Sequence, residues 1–165
     1  TIGKLQNCDN AVYIGGGTGI ADGIILKGKM IDFNARDDVK RSWELKIPSG
    51  ETIESCLSPK GMIDQWNVSQ RERVETLDQL SKNQNADTIF EKATEAFSFL
   101  IQNRTRFFKA NHAKIEKIVI GQRLGIFMAD SKLISLLESN TDIPLDYSTD
   151  RRTAALGAAW KRICS

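Results

Sequence analysis

With 165 residues, 41% of them hydrophobic and 27% charged, the chain is long enough to bury one real core and too apolar to remain disordered. Its formal charge of +2, from 23 basic and 21 acidic residues with no long single-sign block, offers no electrostatic footing for nucleic acid or an anionic membrane. Three scattered cysteines (Cys8, Cys56, Cys164) and the lone His112 lack the spacing of a Cys/His zinc site, and they predict free thiols in a reducing, cytoplasmic compartment. No apolar run reaches the length of a membrane span, and Thr1-Ile2-Gly3-Lys4 does not begin a signal peptide. The start without Met is what a processed or excised piece of a longer protein would show.

The β-prone run Ala11–Ile14 predicts a first strand. It feeds the cluster Gly15-Gly16-Gly17-Thr18-Gly19, after which Gly23–Leu26 and Lys29–Phe33 read as two further strands joined by a Lys27-Gly28 hairpin. Glycines without Cβ let backbone N–H groups approach an anion closely, and the Thr18 hydroxyl adds a donor, so this strand–turn–strand is a candidate phosphate cradle. The same glycines also suit a hairpin in which they serve only tight turns and a bulge. Asp22 would repel a phosphate it faced and is expected to point outward or to cap a turn, a weak metal candidate at most. Asn34–Arg41 reads as loop, and the weak alternation of Ser42–Ile47 predicts a short strand ended by Pro48-Ser49-Gly50.

Helical signals follow. Glu51–Leu57 is one short helix, with Glu54 favouring its N-terminus, and Ser58-Pro59 is an N-cap and first-turn pair for another that runs toward Trp66. Gln70–Lys82, apolar only at Val74, Leu77 and Leu80, predicts a surface helix broken by Asn83-Gln84-Asn85. The strongest periodicity runs from Asp87, a plausible N-cap, to about Phe108, through Ile89, Phe90, Ala93, Ala96, Phe97, Leu100, Ile101, Phe107 and Phe108. Ile115–Gly121 reads as a central strand, a loop with Gly125 comes next, and a helix over Asp130–Ser139 is capped by Asp130 or Ser131. A short strand, Ile143–Tyr147, and a last helix rich in small residues, about Arg152–Ile163, complete an α/β order of β-β-β-α-β-α-β-α, a mixed sheet with helices on its faces.

That order is the one in a ribonuclease H-like half-domain of the actin, sugar kinase and heat-shock ATPase superfamily. Within it, the chain resembles the C-terminal lobe of the ROK sugar kinases, the family of bacterial glucokinases and related repressors. The resemblance rests on Gly17-Thr18-Gly19-Ile20-Ala21-Asp22-Gly23 with the following hairpin to Lys29, similar to the family's second phosphate hairpin. It rests also on Lys117–Gly125, similar to the strand and turn that receive adenosine, and on Thr153–Ala159, similar to the closing Ala-Leu-Gly-Ala-Ala helix. Ile53-Glu54-Ser55 with Ser58 and Gly61 forms a weaker fourth match. Together these cover about Ala11 to Trp160.

The resemblance implies a single nucleotide-binding lobe over residues 1–165, whose partner N-terminal lobe, with the catalytic base and most sugar contacts, is absent from this chain. It implies ATP with Mg2+ as the phosphoryl donor, and as acceptor a hexose or N-acylhexosamine whose site is shared with the missing lobe. Gly16, Gly17, Thr18 and Gly19 are expected at the phosphates, Gly121, Gln122 and Gly125 at the adenosine, and Glu44 at a sugar hydroxyl. No catalytic residue and no metal ligand is expected, since the family's zinc motif is missing, and the lobe alone should be catalytically silent. The adenosine turn has Gln122 where the family has a second glycine, and a side chain there crowds the base or hydrogen-bonds to it. A non-catalytic, sugar-sensing regulator lobe is the alternative, and an α/β domain whose glycines serve turns alone is a third. The long helix and the tryptophans are compatible with a homodimer or with docking onto the missing lobe.

Overall fold

The computed structural model describes residues 4–5, 7–129, 131 and 133–149. The expected closing helix, with Thr153–Ala159, Arg151, Arg152, Trp160 and Cys164, lies outside them, as does Asp130.

Five strands form one mixed sheet in the order β3-β2-β1-β4-β5. They are β1 (Ala11–Gly16), β2 (Ile20–Leu26), β3 (Lys29–Met30), β4 (Lys117–Gly121) and β5 (Leu145–Tyr147). The first three pair antiparallel, and β4 then adds parallel to β1 and β5 parallel to β4. This is the expected ribonuclease H-like arrangement up to β5. The centre of the sheet follows from composition: Ala11, Val12 and Ile14 of β1 and Ile118, Val119 and Ile120 of β4 are all buried, as fits strands covered on both faces. The Lys27-Gly28 hairpin is as expected, with φ of 50° and 75°, the left-handed pair that a two-residue turn requires.

The helices are α1 (Ile53–Leu57), α2 (Pro59–Ser69), α3 (Leu77–Ser81), α4 (Asp87–Ala110), α5 (Gln122–Ala129) and α6 (Leu133–Glu138). α4 is the predicted long amphipathic helix; it packs against α1, α2 and α6, and burial of Phe97 and Leu100, each without solvent exposure, contributes about 2–3 kcal/mol apiece. α5 packs against β1, β4 and β5. Among the described residues no helix is long and apolar enough to cross a membrane.

Several expectations are corrected. Ser42–Ile47 is not a strand: Ser42–Glu44 forms a 3-10 turn, closed by the Glu44 carboxylate accepting from the Arg41 N–H at 2.7 Å, and only a Lys46–Thr52 bridge remains extended. Gln70–Lys82 is not one helix. Gln70 caps the end of α2, Val74 is tied to Asn67 by two bonds of 2.8 and 2.9 Å, and a Thr76/Gln79 capping box starts the five-residue α3. Asp87 does not cap α4, which continues from a 3-10 turn at Gln84–Ala86; its carboxylate sits in the first helical turn instead. The expected loop around Gly125 is α5, and the third strand shrinks to two residues because Asp32 caps a 3-10 turn at Phe33–Ala35.

Asp22 is the largest correction. Its side chain has no solvent exposure and points inward, where it accepts from the Ser42 N–H at 2.9 Å and pairs with the Arg104 guanidinium at 2.6 Å. Arg104 lies between Ile101 and Phe107 on the buried stripe of α4 and also donates to the Lys40 carbonyl at 2.8 Å. A buried guanidinium needs a counter-charge, and this one holds β2, α4 and the segment before the 3-10 turn together.

Candidate functional site

The glycine-rich turn sits where β1 ends. The Gly17 N–H donates to the Gly19 carbonyl at 2.9 Å, which closes a three-residue turn and leaves Thr18 exposed at its tip. Because β1 and β4 run parallel, their carboxyl ends lie side by side: Gly15 is in register with Gly121, and Gly16 forms a bridge with Gln122. The two glycine-bearing motifs, far apart in the sequence, thus meet at one edge of the sheet, the usual position for a ligand in an α/β fold.

The glycines there have different reasons to be glycine. A Cβ on Gly16 would stand 2.6 Å from the Leu124 Cβ, one on Gly121 2.2 Å from the Tyr13 hydroxyl, and one on Gly125 2.5 Å from the Ile120 carbonyl oxygen. These three are required by packing. A Cβ on Gly17 would meet only the Gln122 Oε1, at 3.3 Å, so its open face belongs to the turn itself.

Glu54, expected at the start of its helix and part of the weak fourth motif, also proves to be a neighbour of this turn. It stands in the first turn of α1, begun by Thr52, whose hydroxyl accepts from the Ser55 N–H at 3.0 Å. From there its carboxylate reaches the glycine turn, accepts from the Ile20 N–H at 3.1 Å, and would lie 2.4 Å from any Cβ at position 19. A carboxylate normally repels phosphate; here one oxygen is committed to a backbone donor that fixes the far side of the turn. The pairing of Glu54 with Gly19 leaves no periodic signal in the sequence.

Beside the turn opens a cleft of about 730 Å3, whose lining includes Thr18, Glu54, Ser55, Ser58, Lys60 and Lys92. Ser58 is the expected N-cap of α2, its hydroxyl accepting from the Gly61 N–H at 2.9 Å, and Gly61 is glycine because a Cβ would stand 2.4 Å from the Ser55 carbonyl. The weak fourth motif of the sequence therefore forms one wall of the space that Thr18 faces. Lys92 binds Glu51 at 2.9 Å across the same cleft, and this bond holds the Glu51 carboxyl below its ordinary range. Glu44 is not brought to the cleft; it is exposed and engaged with Arg41. Among the described residues no group of three or more His, Cys, Asp or Glu side chains is placed to hold a metal ion.

No family model matches the chain, and no curated protein matches it. Solved structures do match in fold. The ROK hexokinase from Thermus thermophilus superposes with a TM-score of 0.68 at 16% identity, covering 98% of this chain and 60% of its own. A ROK-family glucokinase from Streptomyces griseus, in complex with glucose and AMPPNP, gives 0.63 at 14% identity, over 96% of this chain and 62% of its own. A ROK-family transcriptional regulator, homologous to the E. coli MLC protein, gives 0.58 at 17% identity, over 82% of this chain and 37% of its own. The chain has the fold of the C-terminal part of these ROK structures and spans about 60% of the length of the first kinases it matches.

Proposed function

We propose that this chain is the nucleotide-holding lobe of an ATP-dependent sugar kinase, which transfers the γ-phosphate to a hydroxyl of a hexose or N-acylhexosamine when joined to a second lobe. The observation that carries the reading is the turn Gly17-Thr18-Gly19: exposed at Thr18, closed by its own backbone bond, and set against the end of β4 beside a cleft. In this reading Thr18 and the backbone of Gly17 and Gly19 meet the phosphates, and the segment from Gly121 to Gly125 borders the nucleoside. Gly16, Gly121 and Gly125 serve by keeping strand, helix and turn in close contact. The bare face of Gly17, bordered by the Gln122 carboxamide, fits a phosphate group, which a side chain on residue 17 would exclude. Mg2+, a hard ion suited to oxygen donors, would arrive on the phosphates, and Thr18 and Glu54 are among the oxygen-bearing residues that line the cleft. Glu44, which lies outside the cleft and is bound to Arg41, would meet the sugar only at a site shared with the second lobe. The general base is placed on the second lobe, so the 165-residue chain binds nucleotide without transferring its phosphate.

The test is a thermal shift of the chain with AMPPNP and Mg2+, with Thr18→Ala as the control. A ligand at a hundredfold excess over its Kd stabilises by about 2.7 kcal/mol, so wild type should melt measurably higher and the variant less so. Absence of a shift with every nucleotide would overturn the reading.

One observation favours a second reading, a ROK-like lobe that senses sugar without phosphorylating it. Gln122 stands over the glycine turn, and the regulator among the matching structures shares the fold. A sugar-dependent shift with no nucleotide-dependent one would select it.

A further inference from the structure

We infer that Gln122 is a gate on the glycine turn: its carboxamide covers the ground a nucleotide needs, and its displacement sets nucleotide affinity. The inference rests on the nucleotide reading above and adds a residue that tunes it.

Three observations carry it. First, Gln122 has φ of +61°, a conformation that favours glycine. The other described non-glycine residues with positive φ, Asn7, Lys27 and His112, are exposed, whereas Gln122 is half-buried at the junction of β4 and α5. Second, its side chain lies along the turn. A Cβ on Gly15 would stand 3.1 Å from both Cδ and Nε2 of Gln122, and one on Gly17 would stand 3.3 Å from its Oε1. Third, the backbone here is pinned, while the carboxamide is bonded to none of the described residues. Gly16 forms a bridge with Gln122, Gly121 is seated on the Tyr13 ring, and Gly125 on the Ile120 carbonyl, yet no hydrogen bond among the described residues holds the amide of Gln122. A side chain that no described residue hydrogen-bonds can swing aside on its own χ angles without moving the strand. The left-handed backbone aims it across the glycines, where residues 15 and 17 have no Cβ to keep it off.

The physical consequence is a population factor. If the turn is open in only a fraction of molecules, apparent affinity falls by that fraction. Removing the side chain removes the factor and leaves the phosphate donors of the turn in place.

The experiment is calorimetric titration of AMPPNP with Mg2+ into the wild-type chain, Gln122→Gly and Gln122→Asn. Asn tolerates a left-handed backbone and has a shorter arm, so it keeps the test alive should the glycine variant fail to fold. Gln122→Gly should bind about tenfold tighter, the change expected if roughly a tenth of molecules are open, with Gln122→Asn between. Equal affinity in all three would overturn the gate while leaving the nucleotide reading intact. Weaker binding by the variants would overturn it too, making Gln122 a nucleotide contact. Absence of binding by all three folded proteins would remove the nucleotide reading, and the gate with it.

Discussion

Asp22 and Arg104, 82 residues apart in the chain, meet with neither side chain exposed to solvent. The carboxylate also takes the Ser42 N–H, and the guanidinium also reaches the Lys40 carbonyl and the Asn103 side chain, so both charges have their hydrogen-bonding capacity largely used. Such a pair adds less than its Coulomb energy suggests, because two ions have been taken out of water. Breaking it is another matter. Arg104→Met leaves a buried, unpaired carboxylate and should cost about 3–5 kcal/mol in urea unfolding. Asp22→Asn in that background removes the stranded charge, keeps an acceptor for Ser42, and should recover about half of the loss. Additive losses in the two variants would show that the two groups act independently.

The glycines should separate into two classes on substitution. Gly125→Ala drives a Cβ into two backbone carbonyl oxygens, of Ile120 at 2.5 Å and Ser148 at 2.9 Å, which cannot yield without moving β4, and should cost about 2–3 kcal/mol. Gly17→Ala meets only the end of a flexible side chain and should change stability by less than about 0.5 kcal/mol. Its effect should appear instead as weakened nucleotide binding. Thermal melts and nucleotide titrations of both variants check the division.

Acid should weaken the cleft through Glu51. The Lys92 bond holds its carboxyl below the ordinary value against a smaller opposing effect of burial. A depressed folded value means that the stabilisation is complete above the unfolded carboxyl pKa, about 4.3, and is lost as pH falls through the folded one. Both side chains are 38% exposed, so water screens the pair and its worth is a few tenths of a kcal/mol. Melting temperatures of wild type and Lys92→Met should therefore converge between pH 5 and pH 3, to about that extent. A constant gap across that range would show that Lys92 acts by packing.

Cys56 should resist alkylation in the native protein. It has no solvent exposure, and burial pushes its thiol up, away from the reactive thiolate. Cys8 is partly exposed and should label before Cys56. Peptide mapping after iodoacetamide should find Cys56 modified only as urea approaches the unfolding transition. Rapid labelling in native buffer would mean that α1 opens locally.

Much of this architecture was legible in the residues. α4 announces itself because apolar side chains recur every three or four positions over its whole length, and β1 and β4 because central strands carry few polar residues. The Lys27-Gly28 hairpin and the Ser58-Pro59 start of α2 follow from local backbone chemistry. What escaped was tertiary in origin. Val74, Leu77 and Leu80 are all buried, as their spacing suggests, yet Val74 is reached by a loop that Asn67 holds and by the Trp66 indole donating to the Glu72 carbonyl at 2.7 Å. A charge reads as surface in any periodicity argument, which puts Asp22 outside and gives Arg104 no buried place. Position 104 nevertheless fits the i, i+3, i+4, i+7 spacing between Leu100 and Phe107, and a charged residue there demands a buried partner. At the candidate site, the turn around Thr18 could be recognised from its glycines, whereas the reach of Glu54 to Ile20 required the fold.

The parallel pairing of β1 with β4 has a consequence for biosynthesis. More than half of the chain lies between Gly16 and Lys117, so a nascent chain leaving the ribosome can form the β1–β2–β3 meander long before the strand that covers its inner edge has been made. For that interval one side of β1 is an unpaired template, and Asp22 waits for a guanidinium still to be translated. Chaperone attention during synthesis, and aggregation of products truncated before residue 117, follow from the order in which the pieces emerge.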